Sequence, residues 1–539
     1  MTKHIPTVRL AENLLREICL SVLLAGVLWG QAAGSAGAAA QDQTPQGQAS
    51  QGQTSAQTPA GEGARPAQAP QSIPAPQSQA PPPANTPSET PDIPASTEEK
   101  TLSPQSAKEL FRSVDELLKF ASDDTGMPIK HEVKRKLANR KEVESYLEKG
   151  MRDDEDAKRL ERSSEVLKKF GLIPRDFQLG PFLVSMLKEQ VAGYYDPKKK
   201  TVNILNWVDA EQQKPVLAHE LTHALQDQSY DMQKWMREAE TEGDKKNDPT
   251  PADIDNDEES EAREAVVEGQ AMVVMLDYTL ASTGKKLVDM PQIGEAMKEG
   301  MLDGPDSPTF RNAPIFLREE LTFPYRYGMD FTLALEKAGG PELGFEGPFR
   351  NPPTTTREIM EPDTYLSHEK LETVKRLDFK KDFEKYDTFD IGAIGEFDVD
   401  VLVEQYSGTK EAEALYPSWR GGYYFAGRAK GVHAGPLGVL YISRWATPEK
   451  AAEFAAVYAK SLAQRYKKRD ALSAEGKVAD DAPPVDSWKT LRGRHAWMTE
   501  EGAVVIDVRG DAVLVSESLD EDTTKRAERD FWSNIEDKK

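Results

Sequence analysis

Pro215-Val-Leu-Ala-His219-Glu220-Leu-Thr-His223-Ala-Leu-Gln-Asp-Gln228 is the stretch from which the rest of the chain is read. Written as a helix, it projects His219 and His223, four residues apart, from one face. Two imidazoles so placed can share one zinc ion, and Glu220, one step round the helix, can reach a water on that metal. This is the HExxH pattern. Val216, Leu217, Leu221, Ala224 and Leu225 suit a buried helix. A surface helix with two ordinary histidines is the plain alternative. Three specified residues at fixed spacing arise by chance in a chain this long on the order of once in a hundred.

The chain has 539 residues, enough for two or three domains. Its net charge of −23 and the lack of a basic stripe argue against nucleic acid as a partner. Cys19 is the only cysteine, which excludes a cysteine-based zinc site or a thiol nucleophile in a chain processed after it. Lys3, Arg9 and Arg16 precede an apolar run from Ile18 to Trp29, and small residues follow up to Ala40. That order reads as a signal peptide over 1–40 and places the protein outside the cytoplasm, periplasmic or secreted. The run is short for a membrane span, so membrane contact is expected only if the segment stays uncleaved. Residues 41–100, rich in Pro, Gln and Ala, read as a disordered linker.

Ser103-Pro104 is a helix start, and charged helical sequence continues to about Phe170. Two β-prone runs flank Asp196-Pro197 just before the histidine helix, so 189–205 reads as a hairpin. Residues 237–263 are acidic and Asp248-Pro-Thr-Pro breaks any helix there. Asp253, Asp255 and Asp257 hint at a calcium loop, but Glu258 stands where the turn needs glycine, which favours a solvated loop. The helix from Arg263 to Tyr278 is apolar yet carries Glu264 and Glu268 on one face. Buried carboxylates need a partner. One of the two could bind a metal while the other orients a histidine, and Asp227, one turn past His223, is a further orienting candidate or a solvent-facing residue. Leu321–Leu335 reads as a turn entering a helix that Gly339-Gly340 ends, and Asn351-Pro-Pro-Thr-Thr-Thr-Arg357 as a capped loop. From about Asp387 a glycine- and aromatic-rich region leads into a strand over 437–445, a helix capped by Thr447, strands at 503–508 and 512–516, and a last helix over 521–535. His433 and His495 stand alone there, without ligand spacing.

These residues together resemble the zincin metallopeptidases, and within them the gluzincins, which add a downstream glutamate to the HExxH histidines. Glu268-Gly269-Gln270-Ala271 is similar to the EGxA motif of gluzincin aminopeptidases, and Tyr325-Arg-Tyr-Gly328 to their Tyr-x-x-Gly motif. A closer resemblance is to a group of bacterial secreted zinc metallopeptidases. They share a GYYDP-like hairpin, a HELTHALQDQ helix, a VEGxA helix, an FPYxxG segment and a PPTST-like loop. Here these correspond to Gly193–Pro197, His219–Gln228, Val267–Ala271, Phe323–Gly328 and Pro352–Thr356. The likeness covers about residues 105–380 and extends only loosely to the C-terminal region. Two departures stand out. Glu268 lies 45 residues past His223, longer than in the best-known gluzincins, and no GAMEN-like motif precedes the HExxH, which argues against an aminopeptidase.

The resemblance implies an α+β protein. A mainly helical zincin-like metallopeptidase domain with a small edge-strand sheet is expected over 101–385, and a smaller C-terminal α+β domain over 386–539. It implies Zn2+ on His219, His223 and Glu268, with Glu264 the second choice of carboxylate. Glu220 is then the proton carrier and Tyr325 the oxyanion donor, with Tyr327 the second choice. By analogy with zinc peptidases, Val191–Tyr195 would pair with extended substrate, with a plain structural hairpin the equal alternative. The expected activity is zinc-dependent hydrolysis of peptide bonds in exported proteins, by an endopeptidase. The competing expectation is a zincin-fold binding or scaffold protein, or a periplasmic assembly factor, without turnover.

Overall fold

Ser103 caps helix α1 (Pro104–Thr125), its hydroxyl accepting the Ser106 N–H and proline filling the first turn, as the sequence indicates. The charged stretch beyond is not helical throughout. Strand β1 (Lys134–Ala138) precedes helices α2 (Arg140–Met151) and α3 (Asp154–Phe170). Only Ala138 of β1 is fully buried, so pairing with a distant strand, rather than its own composition, makes it a strand. Helix α4 (Leu179–Gln190) leads to β2 (Gly193–Asp196) and β3 (Thr201–Leu205), the expected hairpin. Asp196 Oδ1 accepts the Lys199 N–H in its turn at 2.9 Å. The sheet order is β1-β3-β2, with β1 parallel and β2 antiparallel to β3. β2 is an edge strand among the described residues. The computed structural model describes residues 101–536 except 152–153, 191–192, 239–249, 304–306, 372–373, 433–434, 474–476 and 479–487. The expected signal peptide and linker, Val191, the helix break at 248–249 and His433 lie outside the described residues.

Helix α5 (Ala210–Tyr230) carries the two histidines, and α6 (Asp253–Leu280) carries Glu264 and Glu268. α6 is buried along almost its whole length and packs against α5, α1 and strand 386–393. Its start corrects the sequence reading: residues 253–263 are neither a solvated loop nor a calcium loop but the first turns of this helix. The acids there are internal acceptors. Asp257 Oδ2 takes the Ala393 N–H at 3.0 Å, and Glu258 Oε2 takes the Thr356 N–H and hydroxyl at 3.0 and 2.9 Å. A carboxylate that accepts such N–H groups is held in the interior. Helix α7 (Pro291–Asp303) and the long α8 (Ile315–Pro341) follow. Pro324 sits inside α8, not in a turn before it, and the Thr322 hydroxyl bonds the Arg318 carbonyl one turn earlier. Gly340 leaves helical geometry at φ 78°, where Gly339-Gly340 was expected to end the helix.

The C-terminal half runs β4 (Tyr386–Ala393), α9 (Glu396–Ser407), β5 (Trp419–Ala429), β6 (Gly438–Trp445), α10 (Pro448–Arg465), β7 (Arg469–Leu472), β8 (Gly493–Thr499), β9 (Gly502–Arg509), β10 (Ala512–Glu517) and α11 (Glu521–Glu536). Its seven strands form one antiparallel sheet of order β4-β5-β6-β10-β9-β8-β7. The protein is α+β. The halves meet at Arg357, whose guanidinium reaches Glu396 and Glu361 at 2.8 Å and Glu369 at 2.9 Å. All described residues fall in one compact unit. No helix among them is long and apolar enough to cross a membrane.

A buried acid cluster joins α1, α6 and α8. Asp277 meets Asp124, Lys286 lies 2.6 Å from Asp124 and 4.0 Å from Asp277, and Glu336 adds a further negative charge. Burial, then the Asp124 charge, push the Asp277 carboxyl up to about 7. The folded form thus keeps a proton that the unfolded chain releases near pH 4. Its stabilising effect is complete below about pH 4 and is lost as pH rises towards 7. Asn at 277 keeps the acceptor for the Leu287 N–H and offers Asp124 a donor without the charge. Asp277→Asn is therefore expected to raise Tm by a few degrees at pH 8 and by much less at pH 5, read by thermal unfolding across that range.

Candidate metal centre

The Asp209 carboxylate caps α5, and the helix is buried from Val216 to Asp227. The spacing of four brings the two imidazoles together with ring planes at 90° and Nε2 atoms 3.1 Å apart. Glu268 comes in from α6, its Oε2 lying 3.2 Å from His219 Nε2 and 3.3 Å from His223 Nε2. Among the described residues these three alone form such a convergent set of metal-ligating groups. Bonds of about 2.0–2.1 Å in a tetrahedral zinc site put neighbouring donor atoms about 3.3–3.4 Å apart. The triangle seen here is close to that size. Glu268 Oε2, at the centre of the convergence, is buried without a hydrogen bond of good geometry, as suits an atom that would bind a cation. The residues therefore fit a tetrahedral metal ion.

The electrostatics agree. Burial alone would raise the Glu268 carboxyl, but the His223 and His219 interactions outweigh it and hold it down at about 2. Burial opposes charge on His223, while the Glu268 carboxylate outweighs it and lifts the imidazole to about 9. Such a pocket draws positive charge, whether a proton or a metal ion. It is also nearly closed, with His219 1 %, Glu268 2 % and His223 8 % exposed.

Glu220 is buried beside the triangle without belonging to it. Its Oε2 accepts the Tyr195 backbone N–H at 2.8 Å, so edge strand β2 orients this carboxylate. Asp227 neither faces solvent nor touches a histidine. Its Oδ2 takes the Tyr195 hydroxyl at 2.8 Å and the Lys200 ammonium at 2.6 Å, which ties the hairpin to α5. The residue that holds His223 is instead Gln226, whose Oε1 lies 2.9 Å from Nδ1. Sequence reasoning missed it, since an amide three residues past a histidine has no motif of its own. Its buried place in an otherwise apolar helix was the available signal.

Glu264 is buried one turn before Glu268 and stands outside the convergent set. Tyr325 is buried on α8. That helix crosses α6 backbone to backbone, Gly328 lying directly on Ala265 and Gly269, so Tyr325 sits one turn from the contact that flanks Glu268. The Tyr327 hydroxyl is turned to Asp400 at 3.4 Å in the C-terminal half. His495 accepts no ligand role: its Nε2 meets the Arg492 carbonyl at 3.0 Å, and its ring packs against Trp488 and Trp497. Comparison with protein-family models, with curated proteins and with solved structures gives no match.

Proposed function

We propose that the protein is a zinc-dependent endopeptidase with a zincin-like catalytic half, exported through residues 1–40 and acting on exported or extracytoplasmic proteins. One observation carries the reading: three buried donor atoms converge at zinc-site spacing beside a carboxylate, Glu220, that an edge strand orients. The small sheet supports it: its outer strand β2 runs antiparallel to β3 beside α5, and the Tyr195 N–H of that strand is what orients Glu220.

A zinc ion on His219, His223 and Glu268 would polarise the scissile carbonyl and make a water acidic. The chain supplies the rest. Glu220 accepts the proton of the attacking water and passes it to the leaving amine. Tyr195 holds that carboxylate in place through its backbone N–H. Tyr325 is assigned the hydrogen bond to the developing oxyanion, and Tyr327, whose hydroxyl meets Asp400, is the second candidate. The near-closure of the site favours one other reading, a binding or scaffold protein that does not turn over substrate. A peptide-library digest with and without chelator separates the two. The endopeptidase reading expects internal cleavages that chelation abolishes and added zinc restores. No cleavage by zinc-loaded protein would leave the scaffold reading standing.

A further inference from the structure

Gln270 lies on α6 two residues past Glu268, and Gln226 on α5 three residues past His223. Both are fully buried. Their hydrogens can be placed in one way only. One end of the Gln270 amide faces two backbone carbonyls, Gly344 O at 2.9 Å and Phe345 O at 3.1 Å. Carbonyls cannot donate, so that end is the NH2. The Gln270 oxygen then faces Gln226, 3.0 Å away, and must accept. Gln226 gives its NH2 to that oxygen and to Val267 O at 3.0 Å. Its own oxygen therefore faces His223, and Nδ1 must carry the hydrogen. Nε2 is left to point its lone pair at His219 and Glu268 when no proton occupies it. Turning either amide round would set two acceptors against each other in a buried site, at about 1–3 kcal/mol for each bond lost.

The relay ends in an unusual place. Its last acceptors lie in the wide turn Glu342–Glu346, which follows the break at Gly340 and closes with the Gly347 N–H on Glu342 O. The chain of amides thus ties α5, α6 and the end of α8 into one hydrogen-bonded unit. We propose that Gln270, which touches neither His223 nor either other candidate ligand, is a positioning residue: through Gln226 it fixes the tautomer of His223 and so sets how tightly the centre holds zinc. This rests on the reading of the centre as a zinc site. An orienting partner of a metal-bound histidine is typically worth about 10–100-fold in metal affinity.

The test is a double-mutant cycle on zinc dissociation constants, measured by competition with a chromophoric chelator. It uses the wild type, Gln226→Met, Gln270→Met and the double variant, with thermal unfolding of the chelated proteins as the fold control. Gln226→Met is expected to weaken zinc by about 10–100-fold and Gln270→Met by about 3–30-fold. The double variant should bind no more weakly than Gln226→Met alone, because a relay broken once is broken. Wild-type affinity in Gln270→Met, or losses that multiply, would overturn the relay while leaving the zinc site in place. A wild type that binds no zinc would instead overturn the underlying reading. If Gln270→Met does not fold, Gln270→Leu replaces it: it can neither accept from Gln226 nor donate to Gly344 and Phe345. Weakened zinc binding there upholds the relay, and unchanged binding sinks it.

Discussion

Replacing Glu220 by glutamine is expected to slow peptide hydrolysis by about 10²–10⁴-fold and to leave zinc content unchanged. Glutamine keeps an oxygen to accept the Tyr195 N–H, so the side chain can stay where β2 holds it. What it loses is the capacity to take a proton from water and return it to the leaving amine. Glu220 is not among the three convergent donors, so metal content should not follow activity. The two readouts are therefore expected to separate. A fall in zinc that parallels the fall in rate would mean that Glu220 is a ligand and that the roles have been misassigned. Full activity in the variant would remove Glu220 from the chemistry altogether.

The second large effect is structural and independent of the metal. A Cβ built on Gly328 would lie 2.0 Å from Ala265 O, and one built on Gly269 would lie 2.0 Å from the carbonyl carbon of Gly328. Both obstacles are backbone, so no side chain can move aside. Gly328→Ala must push apart α6 and α8, the helices that carry Glu268 and Tyr325. Overpacking of a tight core costs about 1–3 kcal/mol, and a backbone clash this deep belongs at or beyond the top of that range. Chemical denaturation should show a loss of at least about 3 kcal/mol, or the variant should fail to accumulate as folded protein. Gly294→Ala is the control. A Cβ on Gly294 in α7 would meet only Met329 Cε at 3.6 Å, so this change should be neutral or mildly stabilising. Equal behaviour of the two variants would show that the helix crossing is looser than described.

Where local rules decide a structure, the chain could be read directly. Ser103 and Thr447 announce helix starts because a hydroxyl and a following proline are all that the cap needs. The hairpin at 193–205 and the strands β9 and β10 follow from β-prone runs around short turns. The histidine pair is fixed by helical spacing alone. The unread parts depend on partners far away in the sequence. β1 is a polar strand held by β3, more than sixty residues on. β4 and β5 are glycine- and aromatic-rich, and their strand character comes from the sheet they join. Asp257 and Glu258 looked solvated because the N–H groups that donate to them belong to residues 393 and 356. Asp227 was a candidate partner for a histidine on helix geometry, but Tyr195 and Lys200 of the hairpin claim it. Gln226 and Gln270 were invisible as a pair, since nothing local links an amide on α5 to one on α6.

The triangle at His219, His223 and Glu268 carries the whole functional reading, so metal content is the direct test. Purified wild-type protein, dialysed against metal-free buffer and analysed by elemental mass spectrometry, is expected to hold about one zinc per chain. Glu268→Gln should hold far less, and Glu264→Gln should match the wild type. Wild-type protein that retains no zinc, and takes none up when it is supplied, would contradict the account.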